Sequence, residues 1–138
     1  MENLNGADSD YLLQNSIEDL YQSSHYWLSD IEFWKTELLF FQDLLDKHAP
    51  RIESADDKKQ LDHFQNLIIY YNGELLDEYY RKVRKHTKYL AKMIENGPSF
   101  DDYTYREMHK TYEDQIISIN NRLKEYKIEL FNFIKTIW

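Results

Sequence analysis

Five histidines (His25, His48, His63, His86 and His109) and twenty-five carboxylates are the side chains here that could bind a metal or move a proton. Metal sites in helical bundles need such groups on inward faces, typically as Glu-x-x-His on two helices. That motif is absent, and the five histidines do not converge. His109 and Glu113 stand one helical turn apart, as two ligands of one metal would. Both fall off the apolar stripe of their segment, so the pattern reads as an exposed charge pair. His86 does occupy a stripe position, where an imidazole bonded to a Tyr, a hydroxyl or a backbone group is the usual arrangement. Folding the chain back places it near Ile17 and Thr111, with Tyr21 and Tyr112 in reach.

Two further groupings carry possible chemistry. Ser24 interrupts an apolar stripe and, by the same folding back, faces Tyr79 and Ser118. With His86 these residues outline a mid-bundle polar pocket for a metal, a small ligand or a water cluster; the competing reading is a Tyr ring filling space left by small residues. The other grouping is basic: Arg81, Lys82, Arg84, Lys85, Lys88 and Lys92, with no acid among them and with Tyr79, Tyr80 and Tyr89 close by. It suits nucleic acid or acidic lipid. Yet the expected register sets it beside Asp10, Glu18 and Asp19 on one side and Asp101, Asp102, Glu107, Glu113 and Asp114 on the other. Charge complementarity between packed helices then accounts for it without an outside partner. No phosphate-binding Gly-rich loop and no Ser-His-Asp or Cys-His grouping is present, and there is no cysteine for a disulfide or thiolate site. The expectation is a protein without catalytic activity or cofactor.

The elements that must position these groups are long helices. Leu13, Ile17, Leu20, Trp27, Ile31, Trp34, Leu38, Phe41 and Leu45 recur in steps of four and three, with Ser24 filling the one gap. A first helix over about 10–48 follows, starting at Ser9 or Asp10 in preference to Ser16, whose spacing to Asp19 also suits a cap. Pro50 ends it. Ser54 caps a second helix over about 54–96, with the seam Leu61, Phe64, Ile68, Tyr71, Leu75, Tyr79, Val83, His86, Leu90 and Met93. Asn96-Gly97-Pro98 stops it. Asn72-Gly73 in its middle reads as part of one helix, bent at most, because the apolar phase passes through. A third helix over about 101–137 carries Tyr105, Met108, Tyr112, Ile116, Ile119, Leu123, Tyr126, Leu130, Phe133 and Ile137. The second and third helices each take two successive steps of four, at Leu75-Tyr79-Val83 and Met108-Tyr112-Ile116, which reads as one shared distortion. Short connections force neighbours antiparallel. The fold class is therefore all-α, an elongated up-down-up bundle of three long helices: a flexible tail over 1–9 and a single domain over 10–138.

Composition narrows the function classes. Residues 1–48 hold ten acids against Lys35 and Lys47, so the whole net charge of −8 belongs to the first third of the chain. That surface repels nucleic acid and anionic lipid at long range. Met-Glu-Asn-Leu lacks the basic start and apolar run of a signal peptide, and no apolar run approaches the roughly 20 residues that span a bilayer. The expected setting is soluble and cytoplasmic. A surplus remains: Tyr26, Phe33 and Phe40 repeat every seven residues, each one position before a seam residue, where a three-helix bundle leaves side chains wet. Ile69, Tyr70, Leu76, Ile117, Ile128, Phe131 and Trp138 are off-seam too. A contiguous exposed aromatic patch marks an interface. The expectation is a non-catalytic scaffold or interaction module that forms a homodimer, or receives another helical protein, along Tyr26, Phe33 and Phe40.

Overall fold

The computed structural model describes residues 16–97 and 102–138. The tail over 1–9 and the early helix start carrying Leu12 and Leu13 lie outside the described residues. α1 runs Ile17–His48. Ser16 is extended, its Oγ accepts the Asp19 N–H at 3.1 Å, and the Asp19 carboxylate accepts the Ser16 N–H at 3.3 Å. This reciprocal cap opens the helix at Ile17 with Ser16 as its N-cap, the alternative start that the Ser16–Asp19 spacing offered; Ser9 and Asp10 lie outside the described residues. A 3-10 turn, Ala49–Arg51, contains Pro50 and leads to α2, Ala55–Tyr70, whose cap is Ser54 Oγ accepting from the Asp57 N–H at 3.1 Å. α3 spans Leu76–Asn96 and stops at Gly97, whose φ of 87° favours glycine. α4 spans Asp102–Ile137. The described residues contain no strand.

α2 and α3 form one continuous rod, because a π-turn, Tyr71–Leu75, joins them with helical backbone at both ends. The Leu76 N–H bonds back to the Tyr71 carbonyl, five residues away. A single π-turn inserts one residue into an α-helix. Here the surplus residue makes Leu75 and Leu76 both buried, and the heptad resumes from Leu76. The irregular step through Leu75, Tyr79 and Val83 is thereby explained, and Asn72-Gly73 is neither a turn nor a break. The companion irregularity expected in the third helix does not exist. Met108 is 39% exposed, whereas His109 is buried. With His109 in place of Met108, α4 steps four and three without interruption from Tyr105 to Ile137. Counting only apolar residues skipped the buried imidazole and created a false slip.

The three rods pack up-down-up. Gln65 donates to Asp46 at 3.0 Å, Tyr80 donates to Glu32 at 3.0 Å, and Lys35 pairs with Asp77, all consistent with an antiparallel α1 and second rod. Lys127 meets Glu37 at 3.1 Å and the Phe41 and Phe131 rings are 5.5 Å apart, as expected for a parallel α1 and α4. Across the third pair, the Tyr126 hydroxyl donates to the Phe64 carbonyl at 2.9 Å, and burial pushes that phenol well above its ordinary pKa. Tyr126→Phe removes this buried bond while keeping the ring. A loss of about 1 kcal/mol is expected in denaturant unfolding.

The apolar interior is divided. The larger cluster runs from Trp27 and Ile31 through Leu45, Leu61, Val83 and Ile116 to Ile134. The smaller one holds Leu20, Leu90, Met93 and Tyr105, with Ile17 and Tyr21 packed against it.

Candidate functional site

Between the two clusters lies a layer of buried polar side chains: Ser24, His86, Thr87 and His109. Heptad succession puts them together. On α1, Ser24 falls between Leu20 of the small cluster and Trp27 of the large one. On α3, His86 falls between Leu90 and Val83. On α4, His109 falls between Tyr105 and Tyr112. The described geometry agrees, since His86 Nε2 and His109 Nδ1 are 3.1 Å apart and the His109 ring stacks on Trp27 with centroids at 4.5 Å and planes at 29°. The Tyr112 ring lies 5.2 Å from that of His86, as the sequence led one to expect. Ser24 and Thr87 spend their hydroxyls locally, on the Tyr21 carbonyl at 2.7 Å and the Val83 carbonyl at 2.8 Å.

His109 is thus a buried partner of His86, correcting its assignment to an exposed pair with Glu113. The histidines do in part converge. Ser24 is displaced by one heptad from its expected level, facing the His86 layer rather than Tyr79, because the 3-10 turn and Ile52 move the fold-back point along the chain. Ser118 is exposed and does not face Ser24. Tyr79 is half-buried against the large cluster, with the Lys82 ammonium 5.1 Å from its ring centroid. The pocket outlined from sequence is therefore not assembled, and a tighter imidazole layer stands near its place.

The chemistry of that layer is constrained. One of the two facing nitrogens must carry the shared proton, since two bare lone pairs would repel. The outer nitrogens, His86 Nδ1 and His109 Nε2, are buried with no hydrogen-bond partner. Burial lowers the His86 pKa to about 4; burial, then His86 and Arg106, lower that of His109 to about 3. Both rings are neutral at pH 7. Among the described residues no group of three His, Asp or Glu side chains could hold a metal, so the imidazoles form a two-donor set without a third ligand.

The basic stretch behaves differently from the sequence expectation. Arg81, Arg84, Lys85, Lys88 and Lys92 are exposed, and no ion pair joins them to a described carboxylate of α1 or α4. They occupy the outer heptad positions of α3, which point away from both neighbours. Lys82 alone is paired, with Glu78 on its own helix at 2.9 Å.

The aromatic surplus is exposed. Tyr26, Phe33 and Phe40 are 63%, 61% and 61% accessible. Their file borders the edge of α1 that faces α4, the edge bearing Asp30 and Glu37. Across a shallow groove, exposed Ile117 and Phe131 occupy the matching border of α4. Phe41 links the two sides, its ring 5.7 Å from Phe40 and 5.5 Å from Phe131. The groove floor exposes the edges of Trp27 and Trp34 beside Asp30 and Asn120, and burial there raises the Asp30 pKa. Sequence periodicity located the α1 file; it could not show that Ile117 and Phe131 extend it, because the relative rotation of α1 and α4 depends on packing. Among the described residues no helix is long and apolar enough to cross a membrane. Compared with protein families, characterised proteins and solved structures, the chain matches none.

Proposed function

We propose that this protein is a non-catalytic helical interaction module that self-associates through the face built on Tyr26, Phe33 and Phe40 of α1 with Ile117 and Phe131 of α4. The observation that carries this reading is the exposure of five large apolar side chains on one side of one helix pair. Scattered apolar residues need no partner, but a contiguous rimmed patch favours one. The ends of the α1 file argue for a second copy as that partner. At seven-residue spacing the exposed file reads Asp19, Tyr26, Phe33, Phe40, Lys47. Turned end for end about Phe33, it sets Tyr26 against Phe40 and Asp19 against Lys47 of the other copy. An isologous two-fold contact requires this self-complementarity.

Solution mass by light scattering tests the proposal. The wild type is expected at twice the chain mass and Phe33→Glu at the chain mass with unchanged helicity, since Phe33 is exposed and belongs to neither core cluster. A monomeric wild type at tens of micromolar would remove the reading. The exposed cations Arg81, Arg84, Lys85, Lys88 and Lys92 of α3 favour a second reading, an anion-binding face for nucleic acid or acidic lipid. Binding that weakens steeply with salt and is lost in Arg84→Glu/Lys88→Glu would support it; no binding at low salt would end it.

A further inference from the structure

The imidazole layer divides the core at a definite place, and what lies on its two sides is unequal. Among the described residues, the apolar cluster towards residues 17–21, 90–96 and 105 holds Leu20, Leu90, Met93 and Tyr105, with Ile17 and Tyr21 packed on it. The other side holds over three-quarters of the described buried apolar side chains. Closing the small end requires two neutral imidazoles in contact, sealed by Trp27 on one face and Tyr112 on the other.

We propose that the Ser24–His86–Thr87–His109 layer is an acid-operated latch, whose protonation releases the small end of the bundle while the larger core stays packed.

The surroundings favour this outcome. From α1, Ser24 and Trp27 abut the layer without charge; the nearby titratable groups, Tyr21 and His25, meet each other with ring centroids at 4.5 Å. From α3, Thr87 is uncharged, and Lys82, Lys85 and Tyr89 are exposed. From α4, the phenols Tyr105 and Tyr112 flank His109 along the helix, and Arg106 opposes any added positive charge on His109. Glu113, one turn along α4, lies 3.6 Å from Lys110. Among the described residues, no carboxylate perturbs either imidazole. A proton arriving on the pair therefore meets a low-polarity wall and, on a second protonation, a like charge. Hydration by opening is the remaining relief, and the small apolar cluster opposes it weakly.

The sign follows from linkage. Both folded-state values lie below the ordinary 6.5, so the open form binds protons more readily than the closed form. Closure is fully supported above about pH 6.5 and weakens as pH falls towards the folded values of about 4 and 3. At pH 4.5 opening is expected to be favoured on the order of 100-fold per exposed ring relative to pH 7.

Hydrogen exchange at pH 7 and 4.5, corrected for the intrinsic rate, tests this on the intact chain. The expected result is a ~100-fold or greater loss of protection over residues 17–24, 86–96 and 104–109, with 34–45 and 116–134 unchanged. Equal loss throughout, or none, overturns the proposal. His86→Met/His109→Leu is expected to keep its small end protected at pH 4.5; a folded double variant that still opens overturns it as well. Should that variant not fold, wild-type imidazole titration by NMR decides. Rings that protonate near pH 6.5, or that protonate while the small end stays protected, refute the latch.

Discussion

Deleting Gly73 is expected to leave this protein folded, whereas deleting Asp114 is expected to unfold it. Both residues are exposed, so the contrast comes from phase alone. Gly73 sits in the π-turn, where the chain already carries one residue more than the α-helix needs. Its removal turns the π-turn into an α-turn and leaves Leu76, Tyr79, Val83, His86, Leu90 and Met93 in their places. Nothing lies within 4 Å of its Cα substituent direction, so no packing is lost. Loss of a poor helix former offsets the changed position of Leu75, and thermal stability within a few degrees of wild type is expected. α4 has no such reserve. Without Asp114 every later residue turns by about 100° about the axis. Asn120, Lys124 and Lys127 would then take the core positions of Ile119, Leu123 and Tyr126. Three buried side chains worth roughly 1.5–3 kcal/mol each are lost, and two ammonium groups face the interior, which together match the whole stability of a small domain. Circular dichroism with thermal melting separates the cases. An unfolded Gly73 deletion would mean that the π-turn does not hold a surplus residue.

Trp27→Ala is expected to have the second largest effect and to show itself twice. Trp27 is buried at the head of the larger cluster and covers the face of His109. Large-to-small truncation of a buried Trp costs about 3–5 kcal/mol, a fall in Tm on the order of 10 °C or more. The second signature is electrostatic. Burial is the main reason that the His109 pKa stands near 3, so opening one face to water lets it climb back towards 6.5. Thermal unfolding measures the first effect and imidazole NMR the second. A destabilised variant whose His109 still resists protonation would show that other walls of the layer, not Trp27, exclude the water.

What was legible in the sequence depended on which residues could be counted. The seam of α1 was plain because Leu20, Trp27, Ile31, Trp34, Leu38, Phe41 and Leu45 are all apolar and all buried. The α4 seam was misread at one position, where a buried His carries the heptad and a neighbouring exposed Met offers a false step. Hydropathy ranks those two residues in the wrong order whenever an imidazole is buried neutral. The pairing of His86 with His109 was hidden for the same reason. The level of Ser24 failed differently: it depended on how much chain the first connection consumes, which a 3-10 turn and the burial of Ile52 decide. The exposure of Tyr26, Phe33 and Phe40 was legible because a seven-residue period needs only one helix. Their continuation by Ile117 and Phe131 needed two.

An odd number of antiparallel rods has a mechanical consequence. α1 starts at the small-cluster end, whereas α4 finishes at the far end, where the Trp138 ring lies 4.7 Å from that of His48. α1 alone covers about 48 Å at 1.5 Å per residue. Tension applied between Ser16 and Trp138 therefore runs lengthwise and loads the parallel α1–α4 contact in shear, stressing Glu37–Lys127 and Phe41–Phe131 together. The same contact peeled from one end would fail pair by pair. In a pulling experiment the molecule should behave as a strut between its two attachment points, stiffer than an even-numbered bundle whose ends leave from one side.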